Sequence, residues 1–410
     1  MRETSSLYPR RLLPATIVVS GTFAWWFFIT INFEEIFSSL GISQSWISVL
    51  AALFYGSGAI SAIPGSMIGE RIERRKFLFF NFSFGIFATV LLLVVEQNLA
   101  VALLSSSLLG ISLGLGFPSC MTLIPYCTSK KERARFSGVI VLETFIMIFL
   151  GIVVLHMADI GLVGIITVAT ALRATSYFGF SIRFCERGKQ KRSSWMSILS
   201  NRNLIFYLLP WLAFNLAGEL VVLVWAGLLD NTSVTQAYDL GNTLRMAAVA
   251  FLGPVAGVTA DRVGRKPLII FALVILGVGF AFLGLATSYY SALFYLIVSG
   301  IAWSLLMVSY FTLLGDIASS KLADKFYALG ISTPLIAYTL VRGILPTLGI
   351  TSAKANFLSP IMSLLLFLSI IPVLYVPDTL STDIKRERRL KDYTEKVGKL
   401  VQEAEKNKKP

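Results

Sequence analysis

Gly257-Val258-Thr259-Ala260-Asp261-Arg262-Val263-Gly264-Arg265-Lys266 is a short polar bridge between two long apolar runs. A degraded copy stands earlier as Ser66-Met67-Ile68-Gly69-Glu70-Arg71-Ile72-Glu73-Arg74-Arg75-Lys76. Setting Asp261 on Glu70 gives an offset of 191 residues. A second pair of segments repeats that spacing: Glu132-Arg133 precedes Gly138 as Asp324-Lys325 precedes Gly330, at an offset of 192. Two independent pairs at nearly one offset make the chain a tandem of two similar units. Within the motif, Gly257 leaves no side chain where two helices must approach closely, and Gly264 permits a tight turn. Asp261 near a helix C-terminus faces an unfavourable dipole and needs a cationic partner. Arg262 and Arg265 can supply it locally, as can a basic residue of a neighbouring loop.

The surroundings of the motif are those of a membrane chain. Of the 410 residues 55% are hydrophobic and 14% charged, where a soluble domain carries about 25% charged. Mean hydropathy is +0.74. A helix needs roughly 20 apolar residues to cross a bilayer. Twelve such runs are legible: 12–32, 44–68, 77–96, 99–121, 136–158, 160–184, 203–228, 236–260, 267–287, 290–316, 327–350 and 355–377. They are too long for barrel strands and show no sustained alternation. The expected fold is an all-α membrane protein of twelve transmembrane helices in two six-helix bundles. Its parts are an N-terminal bundle at 1–184, a linker at 185–202, a C-terminal bundle at 203–377 and a charged tail at 378–410.

The net charge of +13 invites nucleic acid until its distribution is read. Thirty-two of the 36 Lys and Arg fall in segments on one side of the twelve-span reading, and only Lys354 falls in a loop on the other. Glu34, Glu35, Glu96, Asp159, Asp230 and Asp239 occupy the opposite loops. Such bias makes the basic side, with both termini, cytoplasmic. No nucleic-acid partner is needed. The first run lacks a small-residue cleavage site and reads as a span. Cys120, Cys127 and Cys185 form no CxxC, and the single histidine, His156, cannot make a metal site alone. Neither a metal nor a cofactor is expected, nor is enzyme chemistry, since no nucleotide-binding or protease motif is present. On the basic side, Gly257, Asp261, Arg262, Gly264 and Arg265, with Glu70, Arg71 and Arg74 of the copy, are candidates for a carboxylate–arginine latch. The plainer alternative is a solvated loop whose charges fix topology only.

The chain resembles the major facilitator superfamily over essentially its whole length. The second-half motif fits that family's G-x-x-x-D-R-x-G-R-K signature, while the first-half copy has Glu70 for Asp, Glu73 for the second Gly and Ser66 for the first. The resemblance implies two six-helix bundles around a central cavity that opens alternately to either side. It further implies that spans one, four, seven and ten line that cavity. Span five lacks the G-P-x-x-G-G of many drug–proton antiporters of this superfamily. The runs Asn32-Phe33-Glu34-Glu35-Ile36 and Ser45-Trp46-Ile47-Ser48 are similar to those of its carboxylate transporters, and Arg245 matches an arginine of their eighth span in type. Those proteins' first-span Lys is Glu34 here, and Gly241 stands where their acid precedes the arginine.

Ionisable side chains inside spans are costly and point to function. At about 1.5 Å per residue, Glu219, Arg245 and Arg342 lie about 22–24 Å above the basic side, in one layer of the second half. Three readings fit: a structural network, an anion site in which two guanidiniums grip a carboxylate or phosphate, or a proton-shuttling Glu219. Asn215 and Asn32 are polar candidates beside them. Aromatic residues crowd the same spans, among them Trp25, Trp26, Phe27, Phe28, Trp211, Trp225, Trp303 and Tyr310. In the first half, Glu143 and Arg173, about 10 and 15 Å up, are expected to form an intrabundle ion pair. The tail places Leu390, Tyr393, Val397, Leu400, Val401 and Ala404 at helical spacing, as in a helix lying on anionic lipid. The expected activity is secondary active transport of a small organic solute, an organic anion in the favoured reading, with protons and the bilayer as further partners and a monomer as the unit. Drug–proton antiport and a non-transporting membrane sensor are the alternatives.

Overall fold

The computed structural model describes residues 8–158, 161–181, 195–229, 232–285, 288–318 and 322–379, with Tyr393 and Val397. Among the described residues twelve helices are long and apolar enough to span a membrane: α1 (Leu13–Ile31), α2 (Gln44–Gly69), α3 (Arg74–Val94), α4 (Leu99–Cys127), α5 (Arg133–Met157), α6 (Gly161–Phe178), α7 (Arg202–Leu228), α8 (Thr232–Val263), α9 (Arg265–Leu285), α10 (Tyr289–Ile317), α11 (Ala323–Thr347) and α12 (Ala355–Leu374). Helices are the form such sequence takes in lipid, because each backbone polar group is satisfied within its own segment. Starts are set by side-chain caps. Asn98 accepts from the backbone amides of Ala100 and Val101, Asn201 accepts from that of Leu204, and Ser288 forms a capping box with Ser291.

Helices α1–α6 form one bundle and α7–α12 the other. Within each, the equivalent pairs α2/α4 and α8/α10 pack most closely, as the internal repeat requires. The bundles meet along two seams, α5 against α8 and α2 against α11. At the first seam, a Cβ on Gly257 would stand 2.5 Å from the Ala134 carbonyl, so only glycine allows this crossing. Gly264 turns the chain from α8 into α9 at φ +113°, and an added Cβ would also collide with the Asp378 carboxylate. The outer belt is apolar: Ile60, Phe80, Phe251 and Phe357 are 73%, 68%, 69% and 69% exposed, the inverse of a water-soluble surface.

Several helices begin before the apolar runs do. α3, α5, α9 and α11 start at Arg74, Arg133, Arg265 and Ala323, two to four residues earlier than hydropathy alone indicates. Their first turns are charged, and ion pairs rather than lipid hold them. α11 is also not uniform, since Thr339–Ile344 is a π-helical turn. Cys120 is buried and Cys127 half-buried, and neither forms a disulfide among the described residues. Cys185, Asp159, Asp230, most of the linker and nearly all of the tail lie outside the described residues.

Candidate functional site

Four-residue spacing on α7 puts Trp211, Asn215 and Glu219 on one face, and the same spacing on α11 aligns Pro334, Tyr338 and Arg342. With Phe23, Trp26 and Phe27 of α1, Phe117 of α4, and Trp303, Tyr310 and Phe311 of α10, all but Glu219 and Arg342 enclose a cavity of about 40 Å³ between the bundles. That is room for about three water molecules at ~10–15 Å³ each. Eleven of the eighteen lining residues are aromatic. Several rings are fixed by hydrogen bonds: Trp211 Nε1 donates to Gly330 O at 2.8 Å, Tyr310 OH to Tyr207 O at 2.8 Å, and Tyr327 OH to Phe311 O at 2.6 Å. Trp211 also stacks on Tyr310 at 4.4 Å between centroids.

At one end of this cavity the rings give way to charge. Arg342 Nε donates to Glu219 Oε2 at 2.6 Å, with the arginine side chain 33% exposed and the glutamate 6%. The π-helical turn carries Arg342, and such turns recur at functional sites because they re-aim a side chain at the expense of regular bonding. The guanidinium also lies over the Tyr338 ring, 5.2 Å from its centroid. Tyr338 in turn packs on Tyr55 of α2 at 4.9 Å and faces Trp26 at 6.1 Å. Trp26 Nε1 is buried with no hydrogen-bond partner among the described residues, while Tyr55 OH lies within reach of Thr30 and of Arg342. Buried polar groups are nearly always paired, so an unpartnered indole N–H beside an ion pair points to a ligand's place. Asn215 lines the cavity and donates to Trp211 O at 2.7 Å.

Not every expected member of the layer joins it. Arg245 makes no hydrogen bond or ion pair among the described residues, and its backbone is wedged against Gly300 of α10. Tyr295, within electrostatic reach of both Arg245 and Glu219, stands in that region instead. Asn32 lies outside the cavity at the head of a short helix, Phe33–Ser39, its amide donating back to Phe28 O at 2.8 Å. Trp26, Phe27, Trp211, Trp303 and Tyr310 reach the cavity. Trp25 does not; it donates to Thr89 Oγ1 at 3.0 Å inside the first bundle.

The expected Glu143–Arg173 ion pair is not formed. Arg173 is fully buried, donates to Asn81 Oδ1 at 2.8 Å and lies 4.4 Å from the Trp25 ring centroid. Glu143 turns the other way, onto Thr16 and Ser20 of α1 at 2.9 and 3.0 Å. The two share a depth but face different neighbours, and depth was all that residue spacing gave.

On the basic face a network of charges spans both seams. Asp261 caps the start of α5, accepting from the backbone amides of Ala134 at 3.1 Å and Arg135 at 3.0 Å, and pairs with Arg265 at 3.0 Å. Arg265 also reaches Asp316 at the end of α10 at 3.0 Å, and Asp316 pairs with Arg133 at 2.5 Å. At the second seam, Arg74 pairs with Asp324 at 2.8 Å and Glu70 with Lys325 at 3.2 Å. Burial holds the Glu70 carboxyl above the usual carboxylate range, with Lys325 pulling the other way. Arg262 and Arg71 are exposed and make no ion pair among the described residues; Arg262 follows Asp261 by one residue and so points off that helix face, and Arg71 lies in the turn after α2. Asp316 escaped the sequence reading because no motif marks it. Its signal was an acid at the basic end of a span.

The fold is similar to that of the proton:xylose symporter XylE solved with 6-bromo-6-deoxy-D-glucose, at a TM-score of 0.71 and 16% identity over 92% of this chain and 97% of that one. It is similar as well to the human organic anion transporter MFSD10 (TETRAN), at a TM-score of 0.71 and 11% identity over 89% and 99%. At these identities the likeness is one of fold alone. No curated protein sequence matches the chain significantly. The sequence profile of the Major Facilitator Superfamily matches residues 15–232, more than half of the chain, and the chain therefore belongs to that superfamily of twelve-helix membrane transporters.

Proposed function

We propose that this transporter moves a small organic anion with an apolar body across the plasma membrane by alternating access, with protons as the coupled ion. In this reading the basic face and both termini are cytoplasmic. The observation that carries it is the Glu219–Arg342 pair at the end of a ring-lined cavity. An arriving carboxylate or sulfonate competes with Glu219 for the guanidinium, while its apolar body packs among the rings. Trp26 Nε1 and Tyr55 OH supply donors for its remaining oxygen atoms. The basic-face network is the gate that must part for release to that side. Its buried pairs hold the bundles together only while every partner is present.

The test is a thermal-shift screen of the purified protein against aromatic and aliphatic carboxylates, sulfonates, sugars and organic cations. A hit among the anions should weaken at least about tenfold in Arg342→Gln, the scale of a lost charge-assisted hydrogen bond. Arg342→Lys keeps the charge without the planar fork and should fall between the two. Unchanged affinity in both variants removes the anion site. Drug–proton antiport remains the second reading, favoured by the same eleven aromatic residues; hits confined to hydrophobic cations would select it.

A further inference from the structure

Glu143 lies ten residues into α5, about 15 Å from its start and well inside the bilayer. It is half-buried, with apolar outward residues on one flank of its helix face, Val139 39%, Ile146 42%, Leu150 56%, Val154 52% and Met157 84% exposed, and the buried Ile140 and Phe136 on the other. These offsets put Glu143 at the edge of a lipid-facing stripe, where it turns inward onto α1. Charge there has no compensation among the described residues. α1 contains no ionisable residue from Leu13 to Ile31. On α6, Arg173 is turned to Asn81, and Tyr177 lies beside Ser83. On α8, Asp261 caps α5 at its basic end and Arg245 sits against α10. On α10, Asp316 is held by Arg133 and Arg265. On α5 itself, Arg133 and Arg135 lie at one end and His156 at the other.

The hydrogen count points the same way. Thr16 Oγ1 is 2.8 Å from Leu13 O and 2.9 Å from Glu143 Oε1. Ser20 Oγ is 2.8 Å from Thr16 O and 3.0 Å from Glu143 Oε2. Two hydroxyls own two hydrogens, which four short contacts must share. A protonated carboxyl adds a third.

We propose that Glu143 is a proton-binding site of this transporter, neutral while clasped against α1 and able to ionise only when α1 parts from α5 and admits water. The proposal deepens the proton-coupled reading and rests on it for the use made of the proton. α1 also carries Phe23, Trp26 and Phe27 of the cavity wall, so loading at Glu143 and occupancy of the cavity act on one helix. Uptake is a proton transfer from water to the carboxylate, with no redox partner.

Dicyclohexylcarbodiimide, a lipid-soluble reagent, tests the site without any solute. A protonated carboxyl gives its proton to the carbodiimide nitrogen, its oxygen adds to the central carbon, and rearrangement leaves a stable N-acylurea containing all atoms of both. In proteoliposomes, peptide mass spectrometry should find Glu143 modified at neutral pH, with modification falling as pH rises. Glu143→Gln, the isostere of the neutral form, should keep wild-type thermal stability and counterflow exchange of the screened anion but lose accumulation driven by a pH gradient. Glu143→Asp should regain part of it. An intact protein unmodified at Glu143 across the pH range overturns the site, whatever the flux. Equal gradient-driven accumulation in wild type and Glu143→Gln overturns its coupling role alone. No such accumulation in the wild type strikes the proton-coupled reading instead, while the labelling still decides the site.

Discussion

A buried indole N–H without an acceptor is a costly thing to keep, and Trp26 keeps one beside the Glu219–Arg342 pair. If it serves the solute, Trp26→Phe preserves the ring packing and removes only the donor. Affinity for the screened anion should then drop roughly three- to tenfold, matching about 0.5–1.5 kcal/mol for a neutral hydrogen bond, with little change in melting temperature. Unaltered binding, measured by titration calorimetry, would assign Trp26 to packing alone. At this scale the sequence was informative about height and silent about azimuth. Glu219 and Arg342 could be matched by depth, and they do pair. Glu143 and Arg173 matched nearly as well and do not, because each faces a different neighbour around its helix. Nor did an abundance of aromatic residues say which indole would lack a partner, since that depends on the α1, α2 and α11 contacts.

Helices α5 and α8 approach so closely that their crossing is specified by small residues, Gly138 and Gly253 as well as Gly257. Gly257→Val inserts a branched side chain into that seam, an overpacking that costs about 1–3 kcal/mol in this conformation. It should therefore move the equilibrium toward the state with the basic face parted. Spin labels at Arg71 and Arg262, exposed positions outside the ion network, should report longer distances in Gly257→Val than in wild type. An unchanged distribution would separate this crossing from the gate. Asp324→Asn, which weakens the other seam at Arg74, should lengthen the same distances. The motif residues Gly257, Asp261, Gly264 and Arg265 were legible from their chemistry. The π-helical turn at Thr339–Ile344 was not, because hydropathy records that a segment is apolar and helical but not how its hydrogen bonds are drawn.

The molecule is a doubled six-helix unit whose two halves differ more around the Glu219–Arg342 pair than in the basic-face network. Both halves contribute acids and bases to the basic-face network, yet the Glu219–Arg342 pair belongs to the second half alone. Repetition and span count made the twelve-helix architecture legible, since the length of a span follows from what a bilayer tolerates. The solute is a property of one cavity, where rings from five separate spans meet two charges, and no local pattern encodes that meeting. The central claim is that an anion and a proton cross together through this cavity. Uptake of the best anion from the screen into proteoliposomes, corrected for entry into protein-free vesicles, tests it most directly under an imposed inward proton gradient. The account predicts transient accumulation above the equilibrium level, abolished by dissipating the gradient and by Arg342→Gln. Wild-type uptake no greater than in protein-free vesicles, or indifferent to the gradient, would contradict it.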